Sequence, residues 1–243
     1  MPATASRQTY FATTHWTLVR DAARGGDATA LKALEELFGT YWKPLYRYAR
    51  RRGKSKEDSE DLVQGFLARL LETRALGSTD PAKGRFRSFL LASFNNWIAN
   101  EWKHASRQRR GGGARLLSFD WENAETGLTL DPPDDRSPDK LYDREWALAL
   151  LAKALGNLEA ECRQEGNGSQ FDVLKPCLTA DSAGIPYVNL AARLGTTEGA
   201  ARVAVHRLRK RYRHLLTAEV ARTLASPESV EEEMRSLLAA LAG

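Results

Sequence analysis

The chain has 243 residues, of which 42% are hydrophobic and 28% charged, and it carries a net charge of +5 at neutral pH. Its length suits one large domain or two small ones. No apolar run approaches a membrane span, the N-terminus lacks a secretory segment, and two cysteines are too few for a disulfide framework. These features predict a cytoplasmic protein without a membrane segment, in which Cys162 and Cys177 are reduced and, by their spacing, do not form a metal site.

Charge is distributed unevenly along the chain. Basic residues concentrate at 47–56, 83–115 and 202–213, whereas 118–139 and 226–233 are acidic. Separate basic surfaces favour a polyanion that is contacted at two places.

Almost every periodic segment has helical spacing, so the expected fold class is all-α.

After an N-terminal segment, 1–27, a first helical domain is predicted over 28–110. Its first helix contains Pro44, which should kink or divide it. Ser55 caps the next helix, which carries a broad apolar stripe. Polar residues beside that stripe form either a solvent face or a docking surface for another protein, and they are Glu60, Asp61, Gln64 and Arg69.

The helix predicted after residue 85 combines aromatic residues with basic and amide side chains. The helical spacing of Phe86, Phe94 and Trp97 favours a core role for the aromatics. The same combination also suits melted nucleic acid, because phosphates attract cations and unstacked bases stack on flat apolar groups. The polar candidates on this helix are Arg87, Asn95, Asn96, Asn100, Lys103 and Arg107.

Residues 111–141 are acidic, proline-containing and without periodicity, which predicts an extended linker. A second helical domain is expected over 142–216. One or two further helices, over 218–224 and 230–241, belong to a C-terminal extension, 217–243.

Residues 186–216 predict a helix-turn-helix. Gly195 suits the position after the first helix, and the Thr197 hydroxyl can cap the second. In the second helix an apolar stripe from Ala201 to Leu215 should face the core, and the other faces are basic. A surface helix with an ordinary charged face is the alternative, but the preceding helix and the Gly-Thr-Thr turn favour DNA.

The first turns of a recognition helix approach the bases, and arginine suits the guanine acceptors of the major groove. The candidates for contact at or near the bases are Thr197, Glu198, Gly199 and Arg202, with His206 also projecting away from the stripe. Phosphates suit any lysine or arginine. The candidates for phosphate contact, or alternatively for solvated charges, are Arg207, Arg209, Lys210, Arg211 and Arg213.

Three segments occur in a fixed order: DSEDLVQGFLARLL at 58–71, FRSFLLASFNNWIANEWKHASRQRR at 86–110 and LGTTEGAARVAVHRLRKRYR at 194–213. With the acidic linker between the last two, they resemble the sigma factors of bacterial RNA polymerase, of the extracytoplasmic-function (ECF) type. TTHW near the start and GRFRSFLLAS are most similar to a long-tailed subgroup of planctomycetes and related soil bacteria.

This resemblance implies a bacterial cytoplasmic protein that needs no cofactor and catalyses nothing itself. It would bind core RNA polymerase through the β′ clamp helices and the β flap, recognise the −10 and −35 elements of promoter DNA, and help to open the DNA. An anti-sigma factor is a further partner that the family suggests.

The resemblance also assigns residues. Asp61 and Gln64 match clamp-docking positions, although Gly65 stands where an acidic or polar residue is usual. Asn96 matches an asparagine of the −10 helix. The loop before that helix, which helps to hold an extruded base, corresponds to residues 83–87, with Lys83, Arg85 and Arg87 as the candidate contacts. The −35 face corresponds to Thr197, Glu198, Arg202 and His206.

A stand-alone transcription regulator is the alternative function. It would use the same helix-turn-helix, with the N-terminal helices as a dimerisation or sensing domain, and would footprint an operator unaided. An enzyme is not expected, because the four histidines are scattered and no phosphate-cradling glycine loop is present.

Overall fold

The computed structural model describes residues 28–72, 85–105, 119–130, 137–181, 184–224 and 229–242. Within these ranges the chain forms helices and turns without strands, as the sequence predicts. None of the described helices is long and apolar enough to cross a bilayer.

Three helices form the N-terminal part: α1 (Ala28–Arg51), α2 (Lys56–Glu72) and α3 (Phe86–Ala105). The α1 helix continues through Pro44 and is not divided there. Ser55 caps α2 as predicted, because its Oγ accepts a hydrogen bond from the Asp58 amide at 3.0 Å. The predicted stripe of α2 is buried from Val63 through Leu70.

Most of the described residues between the two predicted domains, 119–130 and 137–141, are helical. Helix α4 spans Trp121–Leu130, and α5 (Pro138–Gln164) begins with Ser137 as its cap and a proline in its first turn. The prediction of an extended linker over 111–141 is therefore wrong at 121–130 and from Pro138 onward. Aromatic packing explains the helix, since Trp42 of α1 stacks on Phe119 with ring centroids 5.0 Å apart and contacts Trp121 edge-on.

Glu125 adds a polar contact between α4 and α1. Its carboxylate accepts hydrogen bonds from Arg50 Nη2 at 2.6 Å and from Tyr46 Oη at 2.5 Å. The Arg50 hydrogen bond lowers the pKa of Glu125, while burial, followed by the Glu125 contact, raises the pKa of Tyr46. This acidic residue of the linker thus serves to dock α4 on α1.

The C-terminal half contains α5, α6 (Gly168–Leu174), a 3-10 helix (Lys175–Leu178), α7 (Tyr187–Leu194), α8 (Glu198–Arg222) and α9 (Val230–Ala242). The prediction of a separate helix from Ala218 is wrong, because α8 runs on without a break to Arg222. No glycine or proline interrupts this stretch, so nothing ends the helix earlier.

Two apolar cores organise these helices. The larger one joins α1, α2 and α3 to the first half of α5, the end of α8 and α9, and it includes the fully buried Phe94, Trp146, Val220 and Leu237. The smaller one lies between the second half of α5 and the helix-turn-helix. The helices assigned to two domains therefore pack together in a closed arrangement.

Candidate nucleic-acid interface

The predicted helix-turn-helix lies between α7 and α8. Gly195 adopts a left-handed backbone with φ of 61°, and the Thr196 amide donates to the Ala191 carbonyl at 3.0 Å. Thr197 Oγ1 accepts a hydrogen bond from the Ala200 amide at 3.2 Å. Glycine adopts this φ without steric cost and the hydroxyl satisfies an amide of the first turn, which confirms both predicted capping roles.

One side of α8 packs on the core and the opposite side is open. Ala201, Val205 and Leu208 of the predicted stripe are buried, and Tyr212 is half-buried. Arg207 and Arg211 are exposed outside the open side of α8, whereas the exposed candidates on that side are Glu198, Gly199, Arg202, His206, Lys210 and Arg213. At 3.6 residues per turn these positions fall within about a third of the helix circumference, so they form one surface, here named the α8 face.

Arg202 is held from two sides on the α8 face. Its Nη2 lies 2.6 Å from Glu198 Oε1, and its guanidinium carbon lies 4.1 Å from the centre of the Tyr187 ring. The side chain nevertheless remains 57% exposed. The sequence does not predict this contact, because Tyr187 belongs to α7 and no local pattern connects it to Arg202.

Arg209, predicted to contact phosphate, is turned towards the protein. Its Nε and Nη2 donate to the Cys177 carbonyl at 2.9 and 2.7 Å, and Nη2 also donates to the Ala180 carbonyl at 2.5 Å. The residue sits where the α8 face meets the buried stripe, so its guanidinium reaches the end of the 3-10 helix. In this arrangement Arg209 anchors that helix instead of presenting its charge to solvent.

The polar candidates on α3 divide into exposed and engaged residues. Asn96 and Asn100 are exposed, whereas Asn95 is half-buried and accepts a hydrogen bond from Tyr48 Oη at 2.9 Å. The remaining candidates of this segment lie outside the described residues (Lys83, Arg107) or outside the described side chains (Lys103).

Two further candidates, Arg85 and Arg87, form a cluster with α5 and α9. The Arg87 side chain is 4% exposed, its Nε donates to Asp143 Oδ1 at 2.8 Å, and it forms an ion pair with Glu233. Arg85 Nε lies 2.7 Å from Glu233 Oε2. Ser236 Oγ accepts from both arginines at 3.1 Å. We name these five residues the α3–α9 cluster; in this arrangement Arg87 is not available to DNA.

The candidate docking residues lie along α2. Asp61 and Arg69 are exposed, and Glu60 and Gln64 are half-buried. Gly65 is explained by packing, because a β-carbon added there would lie 3.1 Å from Cζ2 of Trp97 in α3. The close crossing of α2 and α3 thus accounts for the residue that departs from the family pattern.

Comparison with known proteins bears on both halves of the chain. Residues 37–110 match the family model of Sigma-70 region 2, which includes most of α1 and all of α2 and α3. The chain is 26% identical over 210 residues to the ECF RNA polymerase sigma factor SigE of Mycolicibacterium smegmatis, an alignment that spans 86% of this chain and 71% of that protein. No solved structure matches the chain significantly.

Proposed function

We propose that this chain recognises the −35 element through α8 and the −10 element through α3. The chain belongs to the ECF sigma factors and so acts in transcription initiation. Docking on core RNA polymerase would use α2. The protein would thereby give the core enzyme promoter specificity and assist DNA opening, without a catalytic step of its own.

The observation that carries this proposal is the combination of two surfaces in one chain. The Sigma-70 region 2 match covers the helices with the exposed Asp61 and Asn96, and a capped helix-turn-helix with the open α8 face follows it. Glu198, Gly199 and Arg202 occupy the first turns of α8, which is where recognition helices approach base edges. Lys210 and Arg213 lie further along the same face and suit phosphates.

Footprinting tests the proposal against a stand-alone regulator. The purified chain, core polymerase, and the two together are each incubated with DNA from upstream of the gene. We expect protection near −35 and −10 only with both proteins. Protection of an operator by the chain alone, unchanged by core polymerase, would favour the regulator.

The docking assignment has a separate test. Asp61→Ala combined with Gln64→Ala should weaken retention of the chain on immobilised core polymerase, whereas Glu122→Gln on α4 serves as a control at another exposed acidic position. Undiminished retention of the double variant would remove α2 from the docking surface.

A further inference from the structure

We propose that α9 is an intramolecular latch, which holds the chain in a closed form that covers the candidate −10 arginines and is released when core polymerase binds. The inference rests on the proposed function of α2, α3 and α8. It assigns a role to the C-terminal helix that the match to Sigma-70 region 2, which ends at residue 110, does not include.

The contacts of Glu233 are the first support. This carboxylate is 1% exposed and lies between Arg85, which precedes the candidate −10 helix, and Arg87 in its first turn. Removing one partner from a buried ion pair leaves an uncompensated charge, so the closed form depends on Glu233. Ser236, one turn along α9, accepts hydrogen bonds from both guanidinium groups.

The same arginines suit the partner that would replace α9. Guanidinium groups bind phosphate with the geometry they use for carboxylate, often through two parallel hydrogen bonds. Glu233 therefore occupies, with the same sign of charge, the place that a strand of DNA would take. DNA and α9 cannot hold Arg87 at once, because its side chain is enclosed by Glu233, Asp143 and the Trp146 ring, which lies 4.3 Å from its guanidinium carbon.

Dimensions give an independent argument. The −10 and −35 elements are separated by about 25 base pairs, or roughly 85 Å at about 3.4 Å per base pair. A compact chain of 243 residues is only about 45 Å across. Because α3 and the end of α8 share one core, the closed form cannot place both helices on their elements, and the chain must open to initiate transcription.

Among the described C-terminal elements of the larger core, α9 contributes the fewest buried apolar side chains. Leu237 is fully buried, but Leu238 is 58% exposed and Met234 and Leu241 are only partly buried. In contrast, α5 buries Tyr142, Trp146, Ala147, Leu150 and Ala154 in the same core. Burial of apolar area governs the cost of separation, so α9 should detach first. Its release would remove the Glu233 contact from Arg85 and open one side of Arg87, which Asp143 and Trp146 of α5 still contact.

Hydrogen–deuterium exchange on the unaltered chain tests release directly. Amides of α9 should be protected in the free chain, and their exchange should accelerate about tenfold or more when core polymerase is added, while amides of α1 keep their protection. Unchanged protection of α9 in a demonstrated complex with core polymerase would overturn the latch. Failure of the chain to bind core polymerase would instead count against the proposed function.

Substitution of Glu233 gives a second test. Glu233→Gln keeps the shape and removes the charge, and Glu231→Gln is the matched control at an exposed position of the same helix. At limiting concentrations of the chain, Glu233→Gln should increase run-off transcription by about tenfold, because that factor corresponds to the free energy contributed by a hydrogen bond to a charged group. Glu231→Gln should give the same transcription as the parent. Equal transcription from both variants, with the parent active, would overturn the latch and leave the proposed function intact.

Discussion

The guanidinium of Arg202 lies over the ring of Tyr187 at 4.1 Å, and the same group is hydrogen-bonded to Glu198. Tyr187 begins α7 and Arg202 lies in the second turn of α8. The first helix of the motif therefore orients a side chain of the second. An arginine with restricted motion loses less freedom when it binds a base, so under the proposed function this pairing would prepare the α8 face for recognition.

Tyr187→Leu should weaken recognition at the −35 element. The change keeps apolar bulk but removes a cation–π contact worth about 0.5–1 kcal/mol, so promoter affinity should fall about twofold to fivefold. Competition between promoters that differ only near −35 measures the effect, with Val188→Ala as the control at the neighbouring exposed position. An unaltered order of preference in Tyr187→Leu would show that Tyr187 does not support Arg202.

Gly199→Ala separates fold from DNA contact. An added β-carbon meets no atom within 4 Å at Gly199 or at Gly156 of α5, so neither substitution should lower the melting temperature. Alanine in a helix interior is favoured over glycine by about 0.5–1 kcal/mol, which makes Gly156→Ala mildly stabilising. If DNA approaches the start of α8 closely, Gly199→Ala alone should reduce promoter binding by the polymerase complex. Equal binding by both variants would place DNA away from Gly199.

Arg209 and Lys210 are neighbours with different expected roles. Arg209→Ala removes the donors to the Cys177 and Ala180 carbonyls and should lower the free energy of unfolding by about 1–3 kcal/mol. Lys210→Ala should leave thermal stability unchanged and reduce the salt dependence of DNA binding by about one ion. Melting curves and salt titrations of both variants distinguish these effects. A stable Arg209→Ala with a reduced salt slope would restore Arg209 to the phosphate contacts.

The sequence predicted what local rules determine. Thr197 and Gly195 are recognisable because capping and left-handed backbone have residue preferences that act over a few positions. Helical spacing likewise identified the buried stripe of α8 from Ala201 to Leu208.

The missed features involve contacts between distant residues. Glu125 binds Arg50 across 75 positions, and Arg209 reaches back 32 positions to Cys177. Neither pairing leaves a periodic signal, so the docked α4 and the inward Arg209 were not predictable. Gly65 belongs to the same group, because its reason is the approach of Trp97 from another helix.

Acid should release α4 from α1 through Glu125. The Arg50 hydrogen bond lowers the pKa of Glu125 from its usual value of 4.5. The contribution of this carboxylate to the free energy of unfolding is therefore complete above pH 4.5 and is lost as the pH falls through the lower pKa of the folded state. Denaturant unfolding between neutral pH and about pH 3 should show this loss in the parent. Glu125→Gln should be less stable at neutral pH and lack that portion of the acid dependence. The exposed Glu122→Gln is the control, and an identical acid profile in Glu125→Gln would refute the assignment.

Run-off transcription with purified core polymerase on the promoter upstream of this gene tests the sigma-factor function most directly. We expect a transcript of defined length only when core polymerase and the chain are both present, reduced by Arg202→Ala and absent from DNA that lacks the −35 and −10 elements. No promoter-dependent transcript from core polymerase and the intact chain, despite specific DNA binding by the chain alone, would contradict the account.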